Sequence, residues 1–327
     1  MLIRICKNTQ PIPLILIIII SIITWSFSAN SQFKVVENNG MPLYEIANYL
    51  VNSLPIWLVP ILGFLMTISQ AIHLNFVLNK HEVLYKSSYL PALMFTVLAG
   101  LLPPFLWFHP ILIVNTILIF VLDKIFSLYK NSSPFSDCFN SAFLLALAAL
   151  TYLPSIVLLL VYAVSLLVLR PFSWREWTIG IMGFILPFFF AFLYYFLQNQ
   201  LLDFYNGGFI TGINEKLDWS HFFVLKYTTS VIIVCVILIF SIIRLQSNYY
   251  KNVTKSRLIQ QLLFILIPVG LLSVLVSRDE QLYRFEILVV PFSVYLGYFF
   301  LSTKKQWMAE AIFVVLIAAW IYNFFII

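Results

Sequence analysis

The sequence predicts an all-α fold, a polytopic transmembrane helix bundle of about eleven spans with a cytoplasmic N-terminus. Three observations predict it. Of 327 residues, 62% are hydrophobic and only 10% charged, whereas an ordinary soluble domain has about half apolar and about a quarter charged residues. Apolar runs near the ~20 residues that a spanning helix needs recur along the whole chain. Basic residues, finally, concentrate in alternate connections between those runs. Such a chain is one membrane domain over residues 1–327, with no room for a sizeable soluble domain.

The runs cover residues 11–28, 52–77, 88–106, 108–122, 139–153, 155–170, 178–197, 226–245, 259–277, 285–301 and 309–327. Two pairs carry the ambiguity between ten and eleven spans. Within 88–122 only Phe108-His109-Pro110 marks a turn, and within 139–170 only Thr151-Tyr152-Leu153-Pro154 does. Each pair is too long for one span and long enough for a tight helical hairpin.

Positive-inside counting tests all the spans together, because one missed or invented span inverts every later loop. A cytoplasmic N-terminus places Arg4, Lys7, Lys80, Lys86, Lys124, Lys130, Arg170, Arg175, Arg244, Lys251, Lys255, Arg257, Lys304 and Lys305 inside. Lys34, Lys216, Lys226, Arg278 and Arg284 fall outside, a ratio of fourteen to five. The net charge of +6 is therefore distributed by topology and does not mark a nucleic-acid surface. Cys6, Cys138 and Cys235 are too few and too scattered for a disulfide framework or a metal knuckle. No metal and no cofactor is expected.

Trp25, Trp107, Trp174, Trp177, Trp219 and Trp307 fall near predicted helix ends, where the amphipathic indole prefers the interface. Trp57 and Trp320 do not, and read as packing residues. The first span, within residues 1–29, follows Arg4 and Lys7 and ends in Ser26-Phe27-Ser28-Ala29, the pattern of a signal anchor or a cleavable signal peptide. Bulky Phe27 in the small-residue pattern favours a retained anchor.

Three outer loops carry the polar content, at 29–51, 198–225 and 278–285. In the first, Leu43, Ile46, Ala47 and Leu50 recur at helical spacing with Glu45 and Asn48 on another face. That pattern predicts a helix lying on the membrane surface. Its carboxylates, Glu37 and Glu45, are the candidate catalytic bases at the outer face. The loop 198–225 holds Gly207, Gly208 and Gly212, which suit a segment able to cover a site, together with a lone His221. The third contains Arg278-Asp279-Glu280-Gln281-Leu282-Tyr283-Arg284-Phe285-Glu286, five charges within nine residues between two apolar runs. Charges so placed are costly unless they face water, one another or an anionic ligand. Arg278 and Arg284 could clamp a phosphate, because guanidinium forks match its oxygens. Asp279 or Glu280 would supply a carboxylate beside them. A solvated hairpin tip with locally paired charges accounts for the same run.

No nucleotide-binding glycine loop, zinc-ligand spacing or nucleophile elbow occurs. Gln70, His73, Asn75 and Asn115 lie within spans, where hydrogen bonding between helices is their expected role. An ion-coupled transporter normally needs an ionisable residue near the midplane, and no span supplies one there.

The turn Arg170-Pro171-Phe172-Ser173-Trp174-Arg175-Glu176-Trp177, with the preceding hairpin and Asp123-Lys124-Ile125-Phe126, resembles an uncharacterised family of multi-pass inner-membrane proteins of Bacteroidota. That resemblance implies a compartment and a topology. Tyr283-Arg284-Phe285-Glu286-Ile287-Leu288-Val289-Val290-Pro291 and the amphipathic first outer segment resemble the C-type glycosyltransferase superfamily. Those multi-pass enzymes use polyprenyl-phosphate sugars at the outer face. The chain departs from them in having separated Glu37 and Glu45 instead of paired acidic residues in the first outer loop.

Two functional classes follow. One is a C-type-glycosyltransferase-like enzyme that holds a polyprenyl-phosphate-linked substrate through Arg284 and Arg278, with Glu37 or Glu45 activating an acceptor. The other is a non-catalytic membrane subunit or scaffold, whose outer charges contact other envelope membrane proteins. A transporter ranks third. Membrane lipid is the expected surrounding in each case, and nucleic acid is not an expected partner.

Overall fold

The structure is a computed structural model that describes residues 3, 6–7, 12–30, 35–36, 41–210, 225–277, 282–303 and 305–325. Every apolar run named above contains a helix, and the described residues form no strand beyond one isolated bridge between Val35 and Phe108. The helices are α1 (Ile12–Asn30), α2 (Pro42–Asn52), α3 (Leu58–Lys80), α4 (Leu90–Ala99), α5 (Pro110–Ser127), α6 (Phe135–Thr151) and α7 (Leu159–Leu169). They continue with α8 (Trp174–Leu197), α9 (Leu225–Asn248), α10 (Thr254–Val276), α11 (Val289–Ser302) and α12 (Gln306–Phe325). Short 3-10 turns at Leu153–Leu158 and Leu282–Leu288 lead into α7 and α11. Among the described residues seven helices are long and apolar enough to cross a membrane, and four shorter apolar ones accompany them.

Local chemistry sets the boundaries. The surface helix α2 ends where the Ser53 amide closes onto Tyr49 and Val51, and Pro55 then turns the chain, so α3 begins at Leu58 and not at 52. Helix α4 stops at Ala99 before Gly100, because Pro103 and Pro104 force the 3-10 turn Pro103–Leu106. α5 starts from a strong signal. Pro110 occupies its first turn and the His109 side chain caps it by accepting from the Leu112 amide at 3.2 Å.

All ten residues of α4 are buried, and α11 packs against it. Their close approach runs through Gly297, where a Cβ would stand 3.0 Å from Pro91 N. The α6–α8 contact is tighter. Ala142, Ala146 and Ala149 face inward on α6, and a Cβ on Gly183 of α8 would fall 2.6 Å from the Phe139 carbonyl. Small residues at helix contacts are what packing requires where lipid removes any hydrophobic advantage of association. At the periphery α1, α8, α9 and α12 turn bare apolar faces outward, such as Ile15 and Ile19, Phe189 and Phe190, Ile239 and Phe240, and Val314. These are the faces expected to meet hydrocarbon.

Two tryptophans differ from the sequence expectation. Trp25 is 4% exposed and lies over Gly63, whose missing side chain makes room for it. Trp57 is 64% exposed at the start of α3, as an interfacial residue would be, and is not a packing residue.

The bundle has two unlike ends. At one, which we call the basic end, Lys80 lies 2.8 Å and His81 2.8 Å from Asp123, and Lys124 lies 3.6 Å from Asp137. Arg170, the key residue of the 170–177 turn, donates to the carbonyls of Leu128 and Asn131 and sits 3.1 Å from Glu176. The opposite end gathers α2 with Ser277 and the turns at 35–36, 107–109, 152–154 and 282–288.

Gly183→Ala is expected to lower the thermal unfolding midpoint in detergent, by a loss of about 1–3 kcal/mol, because the Phe139 backbone cannot swing aside. Gly207→Ala, where a Cβ meets nothing within 4 Å, serves as the control and is expected to leave the midpoint in place. Equal midpoints for both variants would refute the close-packed α6–α8 contact.

Candidate functional site

The end opposite the basic one holds a dry polar cluster behind an open apolar cleft. The cluster is built on the 3-10 turn Leu282–Leu288. Glu286 points from it to His109 at the start of α5, with Nε2 2.8 Å from Oε2 and the two side chains 0% and 1% exposed. Since the Leu112 amide donates to Nδ1, the ring proton resides on Nε2. The carboxylate sits off the axis of that N–H, which is aimed nearer the Phe105 carbonyl 3.4 Å away, so the two side chains touch without a linear hydrogen bond. The other carboxylate oxygen, Oε1, has no hydrogen-bond partner among the described residues.

Neighbouring groups hold this pair rigidly. Tyr283 stacks on the His109 ring at 4.9 Å and 15°. Asn115, one and a half turns into α5, donates to the Glu286 carbonyl at 3.1 Å and pins the 3-10 turn to that helix. Arg284 is 1% exposed and donates from Nη1 to the Ser277 carbonyl at 2.9 Å. Tyr152 bonds the Ser277 hydroxyl, and Ser273 donates to the Pro154 carbonyl at 3.0 Å, which ties the 152–154 turn to α10.

The cleft lies on the other side of α6. It measures about 770 Å³ and runs between α2, α6 and α8. Leu147 and Leu150 of α6, Ile46 of α2 and Phe190 of α8 give it apolar walls. Its polar feature is Glu45, which accepts a hydrogen bond from the Tyr195 hydroxyl at 3.2 Å. Phe204 stacks face to face on Tyr195 at 4.4 Å and 2°, so the first turn of the 198–225 loop braces the hydroxyl.

Two short covalent steps join cleft and cluster. Glu45 faces Tyr195, while the adjacent Tyr44 lies against Phe108, next to His109, and donates to the Val36 carbonyl at 2.8 Å. Leu150 lines the cleft, and Tyr152, two residues on, reaches Ser277.

Of the sequence candidates, Glu45 lines the cleft and Arg284 belongs to the buried cluster. No ion pair or hydrogen bond joins those two side chains among the described residues. Glu37, Arg278, Asp279 and Glu280 lie outside the described residues, as does His221. Sequence reasoning passed over His109 as a mere turn marker and treated Glu286 as the last charge of a run. The available signal was a histidine directly before Pro110 at the head of an apolar helix, which is a buried capping position. Among the described residues no three His, Cys, Asp or Glu side chains come together as a metal site. No protein-family model matches the chain, and neither a curated protein nor a solved structure matches it.

Chemically, an imidazole set against a buried carboxyl group is an acid–base pair closed to bulk water, while Glu45 is a carboxyl group at an accessible wall. Removing one member of the buried pair strands the other. His109→Leu is expected to cost about 3–5 kcal/mol, and His109→Leu with Glu286→Met to recover most of that loss. Thermal unfolding of purified single and double variants decides it. A double variant no better than the single one would show that the 2.8 Å contact carries no coupling.

Proposed function

We propose that this chain is an inner-membrane protein of eleven spans with a cytoplasmic N-terminus, and that the end opposite the basic one faces outward. There it acts as a C-type-glycosyltransferase-like enzyme on a polyprenyl-phosphate-linked substrate. The orientation rests on the fourteen-to-five distribution of basic residues. The activity rests on one observation above all, a cleft of about 770 Å³ with apolar walls, roofed by an amphipathic helix and carrying a single carboxylate, Glu45, on its wall.

In this reading the isoprenoid chain enters the cleft from the lipid, since its walls are what a hydrocarbon ligand requires. Glu45 takes the proton from an acceptor hydroxyl, whose oxygen forms a bond to the anomeric carbon. The bond from that carbon to the phosphate oxygen breaks, and polyprenyl phosphate leaves. The Tyr195 hydroxyl, donating to Oε2, fixes the orientation of this carboxylate at the cleft wall. Arg284 does not line the cleft, so its positive charge acts on the phosphate through the protein and not by direct contact.

The non-catalytic reading has its own support, in the near-complete burial of Arg284, His109 and Glu286, which suits a structural polar core. Binding distinguishes the two. In nanodiscs the enzyme is expected to retain polyprenyl phosphate in preference to the uncharged polyprenol of equal length. Glu45→Gln is expected to keep that binding and to lower sugar transfer by 10²-fold or more, as loss of a general base does. Equal retention of phosphate and alcohol would support the scaffold and end the enzyme reading. Cytoplasmic accessibility of a cysteine placed at Asn48, read by an impermeant maleimide, would overturn the orientation.

A further inference from the structure

A second cationic feature sits at the basic end, far from the cleft. Lys7 donates from Nζ to the Thr303 carbonyl at 3.1 Å, and Arg244 donates from Nη1 to the Thr303 hydroxyl at 3.2 Å. Two cations thus share one residue at the C-terminal end of α11. Lys86 is the third. Burial first, then the charges of Arg244 and Lys86, hold the Lys7 pKa below the usual lysine value. Lys7 is therefore close enough to feel both of the other cations.

Among the described residues none of them has a counter-ion within ion-pair distance. Lys80, Lys124 and Arg170 at the same end each lie within 4 Å of a carboxylate, but no carboxylate reaches Lys7, Lys86 or Arg244 among the described residues. Glu82, the acidic residue nearest in sequence to Lys86, forms no ion pair among the described residues. The terminal carbonyls of α11 offset only about half an elementary charge, against three positive ones. A polar cavity of about 370 Å³ adjoins, lined by Lys86, Glu82, Tyr85, Ser87 and Asn252 and not by Lys7 or Arg244. The Tyr85 hydroxyl donates to the Leu301 carbonyl at 2.9 Å, which fixes the cavity wall against the same helix end that Lys7 and Arg244 cap.

We propose that Lys7, Lys86 and Arg244 form a binding site for a phosphate group, that of an anionic lipid headgroup or of a soluble phosphate. A tetrahedral anion satisfies guanidinium and ammonium donors together and relieves the repulsion among them. The site stands apart from the cleft at the other end and does not depend on what happens there.

The test uses the full chain, delipidated in a neutral detergent. Its thermal midpoint is followed during titration with phosphatidylglycerol, phosphatidylcholine or inorganic phosphate. The midpoint is expected to rise with phosphatidylglycerol if the source is lipid, or with inorganic phosphate if it is soluble, and with phosphatidylcholine in neither case. The triple variant Lys7→Gln, Lys86→Gln, Arg244→Gln should weaken the effective concentration on the order of fivefold per cation removed. A reference triple at the same end, Lys130→Gln, Arg175→Gln, Lys305→Gln, should leave it unchanged. Lys86→Gln alone, at an exposed side chain, gives the same reading at about fivefold should the triple variant not fold. The proposal fails if neither anion exceeds phosphatidylcholine, or if the reference triple loses as much as the site triple, which would reduce the effect to diffuse surface charge.

Discussion

Hydrocarbon offers no hydrogen-bond partner, so each polar group carried into the bundle must find one in the chain itself. That constraint fixes the register of the helices. Gln70 on α3 donates to the Leu112 carbonyl and to Thr116 on α5. Asn323 on α12 donates to the Leu101 carbonyl beyond α4 and accepts from Ser230 on α9. Gln260 on α10 reaches the Val83 carbonyl, and Tyr295 on α11 reaches the Gln260 carbonyl. Such bonds between membrane helices average only about 0.6 kcal/mol, too little to drive association alone. They select one register among those that close packing at Gly183 and Gly297 permits.

The same constraint explains why the two ends differ. At the basic end Asp123, with Lys80 and His81, can draw on water, since Lys80 is largely exposed. Pairs of that kind contribute little to stability, of order 0–1 kcal/mol. His109 and Glu286 have no such recourse. A buried pair repays its desolvation only with good geometry and satisfied neighbours, and here Oε1 of Glu286 has no hydrogen-bond partner among the described residues. An apolar pair of similar volume would serve a purely structural core as well or better. The presence of an acid–base pair at this position therefore favours a chemical or specifying role over a stabilising one.

Much of the architecture was legible because lipid simplifies the code. Composition and run length gave the helices, while Pro55, Pro103, Pro110 and Pro154 marked where they begin or end. The amphipathic spacing of Leu43, Ile46, Ala47 and Leu50 gave α2, and the amides in the spans bond between helices as their chemistry requires. The site was only half legible. Glu45 stood out as a carboxylate on an amphipathic helix, but Tyr195 was one aromatic among many at a helix end, and nothing in its neighbourhood encodes a hydrogen bond to α2. His109 and Glu286 lie on segments remote in sequence, and pairing between remote segments leaves no periodicity to read. Charge near a helix end also looks alike whether it is bathed in water or folded inward, so the run holding Arg284 and Glu286 fitted both a phosphate clamp and a solvated tip, whereas the chain buries both residues.

The position of α2 carries the last step. It is eleven residues long, too short to be stable by propensity in water, so its place depends on what its side chains hold. Tyr44 anchors it to Val36 and Phe108 on the side of the buried pair, and Glu45 anchors it to Tyr195 on the side of the cleft. Because adjacent helical residues diverge by about 100°, one backbone step serves both sides. A ligand seated in the cleft bears on the same helix turn that backs Phe108 and, through it, His109. The carboxylate of the cleft and the closed acid–base pair are therefore braced by one helix turn, although among the described residues no bond between their side chains joins them.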